Sequence, residues 1–190
     1  MSITLIIVVI TTIATIYAWN NKSILSKWIF NPYSIHHYKQ YGRFVTSGFI
    51  HGSWMHLIFN MLVLYMFGEQ VEYIFRSIYG VTGSILFIVM YLGAIIVADI
   101  PTFIKNKDNM HYNALGASGG TSGILFSFIL FNPTQQLCLY GLLCFPGFLW
   151  GVLYIIYSVT LFLSFFSFLF KYLFYTLVIL ILEFLWMRAQ

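Results

Sequence analysis

Along the chain, apolar residues gather in runs of membrane-spanning length, separated by polar or mixed aromatic and basic connections. The first run, Ile3–Trp19, is long enough to cross a hydrocarbon core as a helix. It has no basic n-region and no small-x-small cleavage site, so it reads as a retained span rather than a removed signal peptide. The connection Asn20–Gly52 mixes Lys22, Lys27, His36, His37, Lys39 and Arg43 with Trp28, Phe30, Tyr33, Tyr38 and Tyr41. That mixture predicts a segment lying at the membrane interface. The second run, about Trp54 to Phe67, stops at Gly68-Glu69-Gln70, and Glu69–Ser77 reads as a connection with charges of both signs. It is short for a crossing unless residues from His51 onward also lie at membrane depth. The third run is Tyr79–Ile100, followed by a polar connection, Thr102–Asn113, that holds Lys105, Lys107 and Asp108. The fourth, Ala114–Phe131, is closed by Asn132-Pro133, a helix stop. The fifth covers about Leu137–Tyr157 with a kink expected at Pro146-Gly147, and a last span lies within Val159–Met187. The pattern predicts an all-α, polytopic membrane protein of six spans, or five. Residues 1–157 form one membrane domain and 158–190 a separate hydrophobic segment.

Composition strengthens this. Apolar residues make up 61% of the 190 and charged residues 7%, with a mean hydropathy of +0.88. So few charges cannot cover a soluble domain of this length. The net charge of +4 is sparse and scattered, which argues against nucleic acid as a partner and leaves the lipid bilayer. Cys138 and Cys144 lie in or beside apolar sequence without metal-ligand spacing, and read as small packing residues. Nothing in the sequence calls for a metal or an organic cofactor.

Two stretches carry candidate chemistry. Asn113–Gly123 sets Ser118 among glycines at the head of an apolar run. The unpaired N–H groups and dipole of a helix start would stabilise an oxyanion forming beside Ser118. The alternative is that Gly119 and Gly123, four apart, form a face for helix packing. Gly116-x-Ser118-x-Gly120 also matches the nucleophile elbow of soluble hydrolases, but no strand-like run leads into it. In the second stretch, His56 and Asn60 are four apart and share a helix face, whereas His51 points elsewhere, so the two histidines are poorly explained as a metal pair. A His–Asn pair in an apolar helix is either interhelical glue or a pair of donors to a developing negative oxygen.

His51-x4-His56-x3-Asn60 in one span, with Gly116-Ala117-Ser118-Gly119 two spans later, resembles the rhomboid family of intramembrane serine proteases. Arg43–Phe49 is similar to the family's approach to the first of these helices, although Gly42-Arg43 stands where the family has Trp-Arg. The resemblance covers about Ile3 to Tyr157. It implies a six-helix bundle in which Ser118 is the nucleophile and Asn60, His56 and the Ser118 N–H form the oxyanion hole. His51, Arg43, Gly116 and Gly119 would have supporting roles. The implied substrates are transmembrane segments of other membrane proteins, cleaved near the outer leaflet. The implied location is the plasma membrane, with the N-terminus cytoplasmic. The positive-inside rule points the other way, because Lys22, Lys27, Lys39 and Arg43 lie in the first connection.

The family's general base is a histidine in the last helix. Here the histidines are His36, His37, His51, His56 and His111, and none follows Ser118. All 14 glycines occur at or before Gly151, so the last segment also lacks the small residues expected against a glycine-rich span. Three readings stand. The tail is an out-of-frame continuation of a rhomboid gene, or the chain is a non-catalytic relative that binds transmembrane segments, or another group is the base. For the third, Lys171 in the last segment and His111 on the loop before span four are the candidates. Outside this family, a membrane carrier or scaffold would line a path with His56, Asn60 and Ser118, yet no repeated halves are visible.

Overall fold

The structure is a computed structural model that describes residues 1–139, 143–153 and 155–156. The chain divides after Asn132 into two compact units. In the first, α1 (Ile3–Trp19) leads to three short helices, α2 (Lys22–Trp28), α3 (Pro32–Tyr38) and α4 (Arg43–Thr46), the last running into a 3-10 turn at Ser47–Phe49. Then come α5 (Trp54–Tyr79), α6 (Val81–Asn106) and α7 (Ser118–Phe131). Helix starts are written locally. The side chains of Ser2, Asn21, Asn31 and Ser53 each accept a backbone N–H in the first turn of α1, α2, α3 and α5.

Helices α5, α6 and α7 pack against one another and α1 packs on α5. Between them lie Leu64, Phe87, Tyr91, Ile124 and Phe128, all fully buried. A Cβ on Gly119 would come within 2.6 Å of Ala98 Cβ, and one on Gly123 within 2.7 Å of Ala94 Cβ. The Gly119/Gly123 face is therefore taken by small residues of α6, and a last span is not needed to complete it.

Polar and apolar residues are distributed as lipid requires. Thr4, Thr11, Thr15, His51, Asn60, Glu72 and Thr121 are buried, while Ile13, Ile58, Leu62, Ile85 and Val89 are exposed. An apolar exterior around a partly polar interior is costly in water and stable in a bilayer. Among the described residues, α6 alone is long and apolar enough to cross by itself. The pair α4 with its 3-10 turn and α5 passes that test together, bent by 96° at His51 and its neighbours. The shorter apolar helices are α1 and α7.

Several boundaries differ from those expected. Helix α5 does not stop at Gly68-Glu69-Gln70 but continues to Tyr79. Gly68 is a packing position, where a Cβ would lie 2.8 Å from Thr4 Cγ2 of α1. Glu72 is buried because its carboxylate accepts from the N–H groups of Ile3 (3.0 Å) and Thr4 (2.9 Å) and from the Thr4 hydroxyl (2.9 Å), capping α1 from a neighbouring helix. Helix α6 runs through Pro101 to Asn106, six residues beyond the expected end of its span. Ala114–Ala117 is loop, and α7 begins at Ser118 itself.

In the second unit the expected helical span from Leu137 begins instead as a hairpin. β1 (Gln136–Leu139) pairs antiparallel with β2 (Leu143–Pro146). Cys138 and Cys144 face each other there and form a disulfide, which corrects their reading as packing residues. The Trp150 indole N–H donates to the Leu137 carbonyl (2.8 Å), and the backbone is helical again from 147 to 153. The expected boundary at 157/158, the last span within Val159–Met187 and Lys171 lie outside the described residues.

Candidate active site

The loop that delivers Ser118 is held from three sides by the first connection. Phe30 and Ala114 exchange two backbone hydrogen bonds of 3.0 Å. The Asn31 side-chain amide donates to the carbonyls of Met110 (3.1 Å) and Tyr112 (3.0 Å) and to Asn113 Oδ1 (3.1 Å). The Gly116 N–H donates to the Ser47 carbonyl (3.0 Å). Arg43 in turn fixes the connection, its guanidinium donating to Ser26 O (2.8 Å), Ile29 O (2.7 Å) and Gln40 Oε1 (2.7 Å). The expected interfacial segment is thus a folded brace rather than a free linker.

His51, fully buried in the loop before α5, closes the brace. Its Nε2 accepts from the Ala117 N–H at 3.3 Å, so the ring proton belongs on Nδ1 and is directed at Thr15 Oγ1, 3.2 Å away. The Thr15 hydroxyl is then free to donate to the Phe49 carbonyl at 3.3 Å.

Gly116 has φ +123°, a conformation that side chains disfavour, and its Cα lies under the His56 imidazole. A Cβ there would meet His56 Cε1 at 2.5 Å and Nε2 at 2.7 Å. His56 also stands edge-on to His51, with ring centroids 4.9 Å apart. One turn further along α5, the Asn60 amide donates to the His56 carbonyl (2.8 Å), and its Oδ1 accepts from the Thr121 hydroxyl (3.0 Å). The polar face of α5 therefore brackets the start of α7, His56 meeting Gly116, two residues before Ser118, and Asn60 bonding to Thr121, three residues after it.

Ser118 is the first residue of α7 and is exposed. The first i→i−4 bond of α7 is Thr121 N–H to the Ala117 carbonyl (2.9 Å), so the N–H groups of Ser118, Gly119 and Gly120 precede it and mark the positive end of the helix dipole. Among the described residues the Ser118 hydroxyl makes no hydrogen bond. Chemically, the stretch offers an exposed hydroxyl at the head of a helix, with His56 and Asn60 held against its neighbours Gly116 and Thr121.

The structure brings together Ser118, His56, Asn60, His51 and Gly116, with Arg43 behind them in the brace. Gly119 serves the α6 contact. His111 is exposed on the loop between α6 and α7. Thr121, Thr15, Ser47 and Asn31 escaped sequence reasoning. Only Thr121 left a signal, being three residues from Ser118 in a helix and so on a neighbouring face.

The rhomboid domain family matches residues 38–186 of the chain. This chain belongs to the rhomboid family. The match takes in the histidine and serine stretches and continues through most of the hydrophobic tail. A curated relative, the Bacillus subtilis (strain 168) protein named "Putative rhomboid protease YdcA", is 27% identical over 94 residues, covering 49% of this chain. The match spans 44% of that relative's own length. Family membership makes this rhomboid a membrane protein, in agreement with its apolar exterior.

Proposed function

We propose that this rhomboid is an intramembrane serine endopeptidase that receives the transmembrane segments of other membrane proteins at Ser118. The observation that carries the reading is the bracketing of the α7 start by His56 and Asn60 of α5. In this reading a base takes the Ser118 hydroxyl proton as Oγ attacks the scissile carbonyl, the C–N bond then breaks with that proton passing to the leaving amine, and an acyl-enzyme remains. The charge that develops on the carbonyl oxygen is taken by His56, by the Asn60 amide and by the Ser118 N–H. Water then hydrolyses the acyl group. The brace of His51, Arg43, Asn31 and Ser47 holds the donors in place before substrate arrives, which is what makes such donors effective. The architecture that goes with this is a six-span bundle in the plasma membrane, N-terminus cytoplasmic, working without cofactor and without nucleic acid. The family match to residue 186 supports reading the tail as the last span, against an out-of-frame continuation.

A second reading has its own observation, since residues 119–190 contain no histidine to take the serine proton. In that case the same site binds transmembrane segments without cutting them. If this chain supplies a base, it is Lys171 or His111.

Labelling the detergent-solubilised protein with a fluorophosphonate probe separates the two. Labelling that disappears in Ser118→Ala is the outcome expected of the peptidase, and Lys171→Met and His111→Ala then locate the base. A folded protein that takes no label at all excludes an activated serine and leaves the binder.

A further inference from the structure

Away from Ser118, three metal-ligating side chains converge at the far edge of the brace. His36 and His37 form the last turn of α3, and Asp108 follows the end of α6. One ligand atom from each lies within 4.8 Å of the other two. The nearest pair, His37 Nε2 and Asp108 Oδ1, is 3.6 Å apart. In a tetrahedral zinc site with bonds near 2.0–2.1 Å, ligand atoms are about 3.3 Å apart, so small side-chain rotations close the set. Consecutive helix residues do not share a face, yet these two rings stand edge-on with centroids 4.9 Å apart. Tyr33 lies 4.3 Å from the His37 ring and Phe103 of α6 lies 6.3 Å from the His36 ring, which packs both imidazoles from outside. A His37–Asp108 ion pair accounts for two of the residues, and the ring contacts of His36 with Phe103 and His37 place it without calling on its ring nitrogens.

We propose that His36, His37 and Asp108 bind a divalent transition-metal ion of the zinc class, with two imidazoles and one carboxylate as protein ligands and the fourth position open to water. Two nitrogens and one oxygen suit zinc rather than magnesium or calcium, which take all-oxygen sets. The bound ion would tie α3 to the loop after α6, the same loop whose Met110 and Tyr112 carbonyls are held by Asn31 and which leads to Ala114 and Ser118. It would stiffen the approach to Ser118 without entering the site, so the proposal stands or falls independently of any peptidase activity.

Zinc titration of the tag-free full chain in detergent, by calorimetry and by competition against a chromophoric chelator, tests it. One Zn²⁺ per chain is expected. Outer-shell partners alone are worth roughly 10–100-fold in affinity, so H36A, H37A and D108N should each weaken binding by about tenfold or more. H56A should bind as wild type does. Wild type without one-to-one binding, three variants that bind like wild type, or loss of binding in H56A would each overturn the site. Should a variant fail to fold, hydrogen exchange on the wild type decides. Zinc should slow exchange at 32–38 and 107–113, and exchange unchanged by zinc at both segments rules the proposal out.

Discussion

At His51 the two ring nitrogens do opposite work, Nε2 accepting from Ala117 and Nδ1 donating toward Thr15. Protonation turns Nε2 into a donor facing another donor, so the brace depends on a neutral ring. His51→Ala should therefore cost about 1–3 kcal/mol at neutral pH by leaving the Ala117 N–H unpaired. Thermal unfolding in detergent checks it, and a Tm unchanged in His51→Ala would remove His51 from the account. His51, His56, Asn60 and Ser118 were legible in the sequence because polar side chains in apolar runs stand out. Thr121 and Thr15 were not, since threonine is unremarkable in a helix and their roles come from helices that meet only in three dimensions.

Helices were legible as apolar runs, but their ends were not. Gly68-Glu69-Gln70 has the composition of a stop, yet three residues in or near it have contacts that keep the helix going. Gly68 admits Thr4, Ser2 Oγ donates to Glu69 (3.0 Å), and Glu72 caps α1. Nothing local distinguishes a carboxylate in a loop from one that reaches a neighbouring helix start. Likewise Leu137–Tyr157 is apolar enough for a span, and the hairpin within it depends on the pairing of residues across its turn rather than on periodicity. The Glu72 cap has a measurable consequence. Glu72→Ala leaves two N–H groups and a hydroxyl of α1 without their acceptor, and should destabilise the protein by about 1–3 kcal/mol. Because Glu72 lies several turns along α5 from His56, fluorophosphonate labelling of the folded fraction should follow wild type. Unchanged thermal stability would show that solvent or lipid headgroups replace the carboxylate at no cost.

For the whole molecule, the side of the membrane on which each loop lies decides the state of the disulfide. With the N-terminus cytoplasmic, alternate crossings place the Asn20–Gly52 connection outside and the Ser118 end of α7 outside with it. The Phe131 end of α7 is then cytoplasmic, and the hairpin that starts at Gln136 follows it directly. Thiols in that compartment are kept reduced. Cys138 and Cys144 are bonded in the structure, and in cells the compartment sets whether the bond persists. The expectation is that in intact cells, acid-quenched and then denatured, both cysteines react with a polymer-linked maleimide without prior reduction, and that the disulfide closes only after isolation in air. Reaction that requires a reductant would put the hairpin on the oxidising side and reverse the orientation. It would also place Lys22, Lys27, Lys39 and Arg43 in the cytoplasm, where the distribution of basic residues alone would have them. In that case the Ser118 end of α7 lies on the cytoplasmic side, and the peptidase proposed above would meet its substrates from that leaflet.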